Sequence, residues 1–535
     1  MNIVVKTISK IALSSLLLAS IGVGCRAKKD LVASPPEVVS VVEPPSMAFA
    51  AQEPLSLPAL PASATWSPPM GDSIRQEMRA VWLTTAYGLD WPRTKADDEN
   101  GLRRQQQDLI RILDRLAADG YNTVFLQVRQ SGTVLYPSNM EPFARFFTSS
   151  GQPPAYDPLS FAVKACRARG LAIHAWLVTY PLASPKNAPH PLLQRHPAWG
   201  LKHKNATHLD PGEPGVRQYI ASLARELAAG YDLDGLHFDY FRYPEDAVRF
   251  PDQRSYRLYG AGMDREQWRR SNLTRQLEEI NQAVHSIKPY MQISVAPLGK
   301  LRKLPMLDRS HGWTAFESVY QDPITWAKKG LVDFLVPMMY YRDHLYTPFL
   351  QDWSQSVGRY VPVVAGLAPY RIVQDRWQAQ TIIDQMEQER MMGSGGICFF
   401  REEHVGDKYP AMRQQIRQFF HRTALPLALP RGLEHRAQAP KLLRLVLEPN
   451  GERTVVWMHD RDAHEPPVTY RLWATLIKGN GERRGVLLAQ GVREPHYRLR
   501  GEQFSGYERV EIGVEAVNSY GVSTPIDQAL VITMG

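Results

Sequence analysis

The chain has 535 residues, of which 44% are apolar and 22% charged. These are the proportions of a globular protein, and the length is enough for several domains. The 63 Lys and Arg outnumber the 54 Asp and Glu, giving a formal charge of +9, but the basic residues are scattered rather than gathered in blocks. Scattered charge reads as a solvated basic surface, so no nucleic-acid partner is expected; weak attraction to an anionic envelope polymer also fits.

The N-terminus sets the compartment. MNIVVKTISK is short and basic, and IALSSLLLASIGVG is an apolar run ending in small residues. This is the pattern of a secretory signal, too short to read as a spanning helix. The run ends at Cys25, in IGVGC, which resembles the cleavage site of bacterial lipoproteins, where the cysteine becomes the lipidated first residue. Gly22 stands where that pattern usually has Leu. Residues 1–25 are therefore expected to be a lipoprotein signal, and the chain to be exported to the cell envelope and anchored to a membrane through Cys25. Residues 26–74 are rich in Pro, Ala and Ser (SPPEVVSVVEPPS, LPALPAS, WSPPM), a composition that cannot build a core and predicts an extended tether. Cys166 and Cys398 read as small buried hydrophobes, and neither a disulfide framework nor zinc spacing exists.

Ordered structure is expected near Arg79, where strand patterns begin to alternate with helical ones. The strand candidates are RAVWLTT (79–85), TVFLQVR (123–129), AIHAWLV (172–178), GLHFDYFRY (235–243), QISVAPL (292–298), FLVPMMYY (334–341), PVVAGLAPY (362–370) and GGICFFRE (395–402). Seven amphipathic stretches lie between or after them. In LRRQQQDLIRILDRLAADG, Leu109, Ile112, Leu113 and Leu116 form one stripe and Gly120 stops the helix. The others are DPLSFAVKACRARG, VRQYIASLARELAAG, QWRRSNLTRQLEEINQAVHSI, ITWAKKG, WQAQTIIDQMEQERMMG and AMRQQIRQFFHR. Such alternation predicts βαβ units, a parallel sheet and an α/β fold, a (β/α)8 TIM barrel over residues 75–425. The first strand is followed by TAYGLDWPRT, which lacks the Gly-rich phosphate loop of a doubly wound nucleotide fold, and no cofactor is expected.

A boundary falls in LPLALPRGLEHRAQAP (425–440). Beyond it, residues 437–535 carry short strands at sandwich spacing: LLRLVLEP, RTVVWMH, VTYRLWATLI, GVLLAQGV, HYRLRG, RVEIGVEAVNS and ALVITM. Trp457 lies in an early strand, Tyr507 lies close upstream of a late one, and EIGVEAVNSYGVSTP resembles the late-strand signature of fibronectin type III domains. An all-β, fibronectin III-like sandwich is expected here. Such modules are usually spacers or binding arms, so it is assigned no chemistry, only a surface for protein contacts.

In a barrel the C-terminal strand ends build the active site. The second strand ends at Gln127 and Arg129, the third carries His174 and Trp176, and the fourth carries His237 and Asp239. The sixth ends at Tyr340 and Tyr341 and continues to Asp343, and the eighth ends at Glu402. Strand alternation puts His237 and Asp239 on one face and Leu236 and Phe238 on the other. A single polar strand end can be a hydrogen-bonded core residue; several at matching positions point to a site. Glycoside cleavage needs two carboxyl groups around an oxocarbenium-like transition state. Asp239 is one, and Glu402, Asp343 and Asp210 are candidates for the acid partner. Trp82, Trp91, Trp176, Tyr240, Tyr243, Tyr340 and Tyr341 lie near strand ends, where flat rings could stack on sugars or simply pack the core. Arg129 and Arg242 could hold an acidic or acetamido-bearing ligand, or pair with an acid of the chain. A metal cluster of His174, His237 and Asp239 is disfavoured, because the first strand has no His-x-His and no His-x-x-x-His with a nearby Glu occurs.

Several blocks, in order, resemble the glycosyl-hydrolase-like family 10 proteins: RAVWLTT, NTVFLQVR, YDPLSFAVKACRARGLAIHAWLV, LDPGEPGVRQYI, YDLDGLHFDYFRYP and ISVAPLG, covering about residues 75–420. The resemblance implies a barrel glycosidase acting on glycan strands of peptidoglycan, including strands stripped of their peptides. It implies Asp239 as catalytic, with Gln127, Arg129, His174, Trp176, His237 and Tyr340 lining the cleft. Many members of the family have a second Asp directly after the first, where this chain has Tyr240. Glu402, Asp343 or Glu245 would then have to stand in, or the protein would bind glycan without cutting it. A metal-dependent hydrolase such as a deacetylase is the other alternative.

Overall fold

The computed structural model describes residues 74–182, 190–260, 262–307, 312–460 and 468–533; the expected signal, Cys25 and nearly all of the expected tether lie outside them. The expected barrel is present. Its strands are β1 (Met78–Leu83), β2 (Thr123–Gln130), β3 (Ala172–Val178), β4 (Gly235–Asp239), β5 (Gln292–Val295), β6 (Phe334–Leu335), β7 (Val364–Leu367) and β8 (Gly396–Phe399). They lie parallel in the order β6-β5-β4-β3-β2-β1-β8-β7. The ring closes between β6 and β7 through parallel bridges of Leu335 to Val363 and Met338 to Gly366. A Cβ on Gly366 would stand 2.7 Å from the Pro337 carbonyl and 2.9 Å from the Trp82 ring, so the seam needs glycine. Strand β6 is shorter than its apolar run because Pro337 has no N–H to give the ladder.

Eight principal helices surround the strands: α1 (Glu99–Ala118), α2 (Pro158–Arg167), α3 (Pro214–Gly230), α4 (Arg265–His285), α5 (Pro323–Lys328), α6 (Tyr346–Ser356), α7 (Ala379–Met391) and α8 (Pro410–Phe419). Asp98, Asp157, Asp264 and Asp322 cap α1, α2, α4 and α5 by accepting backbone N–H bonds. Helix α6 has no counterpart among the seven expected stretches. Pro348 and the polar residues of YTPFLQDWSQS mask its apolar face, although proline is tolerated in a first turn.

Strand alternation produces two cores. Val81, Val124, Ile173, Leu236, Phe238 and Ile293 face out and pack under the helices. Ala80, Trp82, Phe125, Trp176, Phe334, Val336, Val364 and Cys398 face in and fill the barrel. Both Cys166 and Cys398 are buried and free.

One buried carboxyl outside the barrel has a measurable consequence. Glu389, in α7, accepts from the Tyr346 hydroxyl at 2.7 Å, and burial pushes its pKa up to about 7. The unfolded chain therefore deprotonates Glu389 before the folded one does. Its contribution is full below the unfolded pKa and is lost as pH rises towards 7, by about 3 kcal/mol. Glu389→Gln is expected to flatten this loss, read as a smaller drop in Tm between pH 5 and pH 8; an unchanged drop would refute the assignment.

After Phe420 the chain crosses to the β-rich part through a short turn at Pro430–Glu434. Seven strands follow: β9 (Lys441–Leu447), β10 (Arg453–Met458), β11 (Val468–Ile477), β12 (Arg483–Val492), β13 (His496–Leu499), β14 (Arg509–Asn518) and β15 (Ala529–Thr533). They form antiparallel sheets ordered β9-β10-β13 and β12-β11-β14-β15. Trp457 and Tyr470 meet edge to face at 5.0 Å in the core they share.

This part is no free arm. Tyr520, wholly buried, joins the cluster inside the barrel together with Leu429, and its hydroxyl donates to Pro289 O at 3.1 Å. Gln292, at the start of β5, donates to Ser519 O at 2.6 Å. Leu425 packs with Trp473 and Ile526 in a further shared cluster. Met78, Gln292 and Gly396 mark the starts of their strands, so the β-rich part closes the N-terminal face of the barrel and leaves the C-terminal mouth uncovered by it.

Candidate active site

The stretch Asp234–Pro244 builds the centre of the barrel from below upward. Asp234 is structural: its Oδ2 accepts from Ile173 N at 2.7 Å, and Arg167 pairs with it at 2.7 Å. Gly235 is required by close approach, since a Cβ there would lie 2.4 Å from His174 Nδ1 and 2.7 Å from Gln292 O. His174 sits at this level among Phe125 and Phe334, and burial lowers its pKa to about 4. It belongs to the lower barrel packing, not to a cleft lining as expected from the family resemblance.

His237 forms the next layer. Its Nε2 lies 3.0 Å from Trp82 Nε1, and its Nδ1 lies 2.9 Å from Ser294 Oγ. The indole N–H can only donate, so Nε2 is the acceptor and the Nδ1–H donates to Ser294. The ring stacks on Phe125 at 4.2 Å, and burial depresses its pKa far below the usual range. Both nitrogens are engaged, so His237 cannot ligate a metal or take a substrate proton without breaking this set. Among the described residues, no group of three His, Cys, Asp or Glu side chains comes together as a ligand set.

Asp239 ends β4 one layer higher. Its Oδ2 accepts from Trp176 Nε1 at 3.2 Å and its Oδ1 from Tyr240 N at 2.7 Å. Burial raises its pKa to about 6, against these bonds and the Arg242 charge, which favour the ionised form. A carboxyl poised between its two states at mildly acidic pH can donate or accept a proton. Around it stand Tyr340, Tyr370 and Phe400: Tyr340 lies 5.7 Å from Phe400 and 5.9 Å from Tyr370, and Phe400 lies 6.4 Å from Trp176. Tyr370 was not singled out by sequence; its aromatic type as the last residue of the seventh strand run was the available signal.

The structure gathers Asp239, Trp176, Tyr240, Arg242 and Tyr340 at the mouth. Other expectations need correcting. Glu402 is buried on the far side of β8 and pairs with Arg115 of α1, because the chain turns into a 3-10 helix after Phe399 and strand alternation ends there. A charged cavity of about 270 Å3 lies at that spot, lined by Arg93, Arg111, Arg115, Glu402, Glu403 and Lys408, and Asp239 is not among its walls. Asp343 is exposed beside Arg342, at 3.2 Å, and Asp210 accepts from Gly212 N and Ser255 Oγ as a loop-fixing residue. Tyr341 alternates outward, donates to Gly299 O at 2.7 Å and packs against Phe349 of α6. Trp91 and Tyr243 lie in the outer core. Gln127 points its amide oxygen at Thr85 N and Ala86 N, at 3.1 and 2.8 Å, and so clamps the loop after β1.

Arg129 is also turned away from the expected cleft lining. A register shift between Gln127 and Arg129 directs it to Glu141, at 2.5 Å, and to the carbonyls of Val178 and Thr179. Both partners are almost wholly buried. Arg129→Met is expected to destabilise the fold by about 3–5 kcal/mol by stranding the Glu141 charge, and adding Glu141→Leu to recover most of the loss. Chemical denaturation of the two variants tests this; equal loss in both would refute it.

The chain is similar in sequence to known proteins. Residues 77–381 match the model of the family described as "Glycosyl hydrolase-like 10". The chain is 30% identical over 317 residues to "Glycosyl hydrolase YngK" of Bacillus subtilis (strain 168), covering 56% of this chain and 61% of that protein, so it spans less than two thirds of that relative. It is 30% identical over 383 residues to "Glycosyl hydrolase DigH" of Escherichia coli (strain K12), covering 64% of this chain and 87% of that protein. Among solved structures it is similar to the PgaB (BpsB) glycoside hydrolase domain from Bordetella bronchiseptica, with 15% identity, a TM-score of 0.46, and coverage of 64% of this chain and 98% of that one. The family model covers more than half of the sequence, and the chain belongs to the glycosyl hydrolase-like 10 family.

Proposed function

We propose that the protein is a glycoside hydrolase that cuts glycan strands of the cell envelope, peptidoglycan strands in particular, with Asp239 as the proton donor to the leaving oxygen. The carrying observation is the placement of Asp239: a buried carboxyl at the barrel mouth whose pKa is raised to about 6, fixed by the Trp176 N–H and the Tyr240 N–H. General-acid catalysis requires a carboxyl still protonated at working pH. The rings of Trp176, Tyr240, Tyr340 and Tyr370 supply flat apolar faces for the sugars and keep water off the reacting bond.

On this reading the chain is exported, is held to a membrane by a lipid on Cys25, and carries a fibronectin III-like module over residues 437–535. Among the described residues, no helix is long and apolar enough to cross a membrane. The test is the release of new reducing ends from purified glycan strands. Retention of strands by wild type without such release would favour a glycan-binding role. Loss of activity with a chelator, recovered by zinc, would favour a metal-dependent hydrolase.

A further inference from the structure

We propose that Glu245 is the second catalytic carboxylate, the base that activates water opposite Asp239. This rests on the glycosidase reading above. Glycoside cleavage needs a second carboxyl, and the residue directly after Asp239 is Tyr240, so the partner must come from elsewhere. Glu402 is tied to Arg115 away from the mouth, Asp343 is exposed beside Arg342, and Asp210 fixes a loop. Asp90 is consumed by Thr84 N, Glu403 N and Arg401, and Glu403 by Arg401 and Lys408.

Glu245 is placed differently. Tyr240 takes a left-handed conformation (φ 49°), which turns the chain sharply just after β4. The following residues, Phe241 and Tyr243, anchor in the outer core. Between them Arg242 points back: its side chain is 5% exposed, its Nη2 donates to Glu245 Oε1 at 3.0 Å, and its guanidinium lies 4.8 Å from the Tyr240 ring centroid. The same guanidinium interacts electrostatically with Asp239. Arg242 is therefore the hub between two carboxyl groups of unlike surroundings. Asp239 is enclosed and bonded to an indole N–H, whereas Glu245 is paired with a guanidinium and 29% exposed, so water reaches it. Unlike surroundings are what assign acid and base within a carboxyl pair. The Glu245 carbonyl, 2.9 Å from His203 Nε2, ties this loop to the strand Gly200–His203 beyond β3.

The step balances without a further reactant. The water oxygen bonds to the anomeric carbon and its proton passes to Glu245. The glycosidic C–O bond breaks and the leaving oxygen takes the Asp239 proton. The product is the inverted hemiacetal.

The test uses the full chain with glycan strands, following new reducing ends and product anomers by NMR. Glu245→Gln keeps an acceptor for Arg242. It is expected to lower turnover by about a hundredfold or more while strand binding changes by less than about threefold. Azide is expected to restore strand cleavage to Glu245→Ala by bonding to the anomeric carbon in place of water, read as a glycosyl azide by mass spectrometry because no new reducing end forms, and wild type is expected to give the inverted anomer. Should Glu245→Gln not fold, Glu245→Asp carries the test, with an expected loss of at least about tenfold at unchanged Tm. Wild-type turnover in Glu245→Gln or Glu245→Asp, or a retained anomer from wild type, overturns the proposal. So does a loss of turnover in Glu245→Ala that azide leaves unrepaired at unchanged Tm. An active wild type with an inactive Asp239→Asn and an unaffected Glu245→Gln sinks this assignment alone; a wild type that releases no reducing ends sinks the functional reading with it.

Discussion

Asp239→Asn is expected to lower turnover on glycan strands by about a hundredfold to ten-thousandfold, the usual range for loss of a positioned proton donor. The substitution keeps the shape of the side chain but only one of its two acceptor oxygens, so either the Trp176 or the Tyr240 N–H loses its partner; strand binding should change little, and a modest fall in Tm is expected. The pH dependence follows from the sign of the shift. Burial raises the Asp239 pKa to about 6, and the acid is active while protonated. Turnover should hold below that value and fall as pH rises through it, roughly tenfold per pH unit above it. A wild type whose rate climbs from pH 6 to pH 8, or an Asp239→Asn variant with wild-type turnover, would sink the assignment of Asp239 as acid.

The second large effect concerns stability. Tyr520→Ala is expected to cost about 3–5 kcal/mol, the range for emptying a large buried aromatic site. Tyr520 fills the N-terminal opening of the barrel, and its hydroxyl satisfies Pro289 O. Its backbone is fixed on both sides: Tyr520 N donates to Asn518 Oδ1 at 3.0 Å, and Leu429 N donates to Tyr520 O at 2.8 Å. The neighbours cannot collapse into the space without moving the β5 end and the linker together. Tyr520→Phe, which keeps the ring, should recover most of the loss. Denaturant titration of the three proteins decides it: a loss under about 1 kcal/mol for Tyr520→Ala would mean that the floor is sealed without this ring. Because the β-rich part supplies that seal, both parts should unfold in one transition.

Much of the fold was legible because strand and helix periods differ. Runs such as TVFLQVR and AIHAWLV lie buried on both faces, as parallel strands do, and coincide with β2 and β3. Alternation alone placed Leu236 and Phe238 under the helices and His237 and Asp239 inside the barrel. The family blocks were likewise readable, since they are long and in order.

What alternation could not reach lies where strands stop. Glu402 sits beyond the last strand residue, in a 3-10 turn, so its direction was set by Arg115, distant in sequence. Arg129 follows a register shift that turned it to Glu141. Tyr341 is one step past Tyr340, and that single step moved it from the mouth to the outer core. The strand count, the inward faces and the position of Asp239 follow from local periodicity, which the sequence determines by itself. The partners of Glu402 and Arg129, the dry setting that raises the Asp239 pKa, and the insertion of Tyr520 into the barrel depend on contacts between residues far apart in the chain, and only the packed tertiary structure decides those.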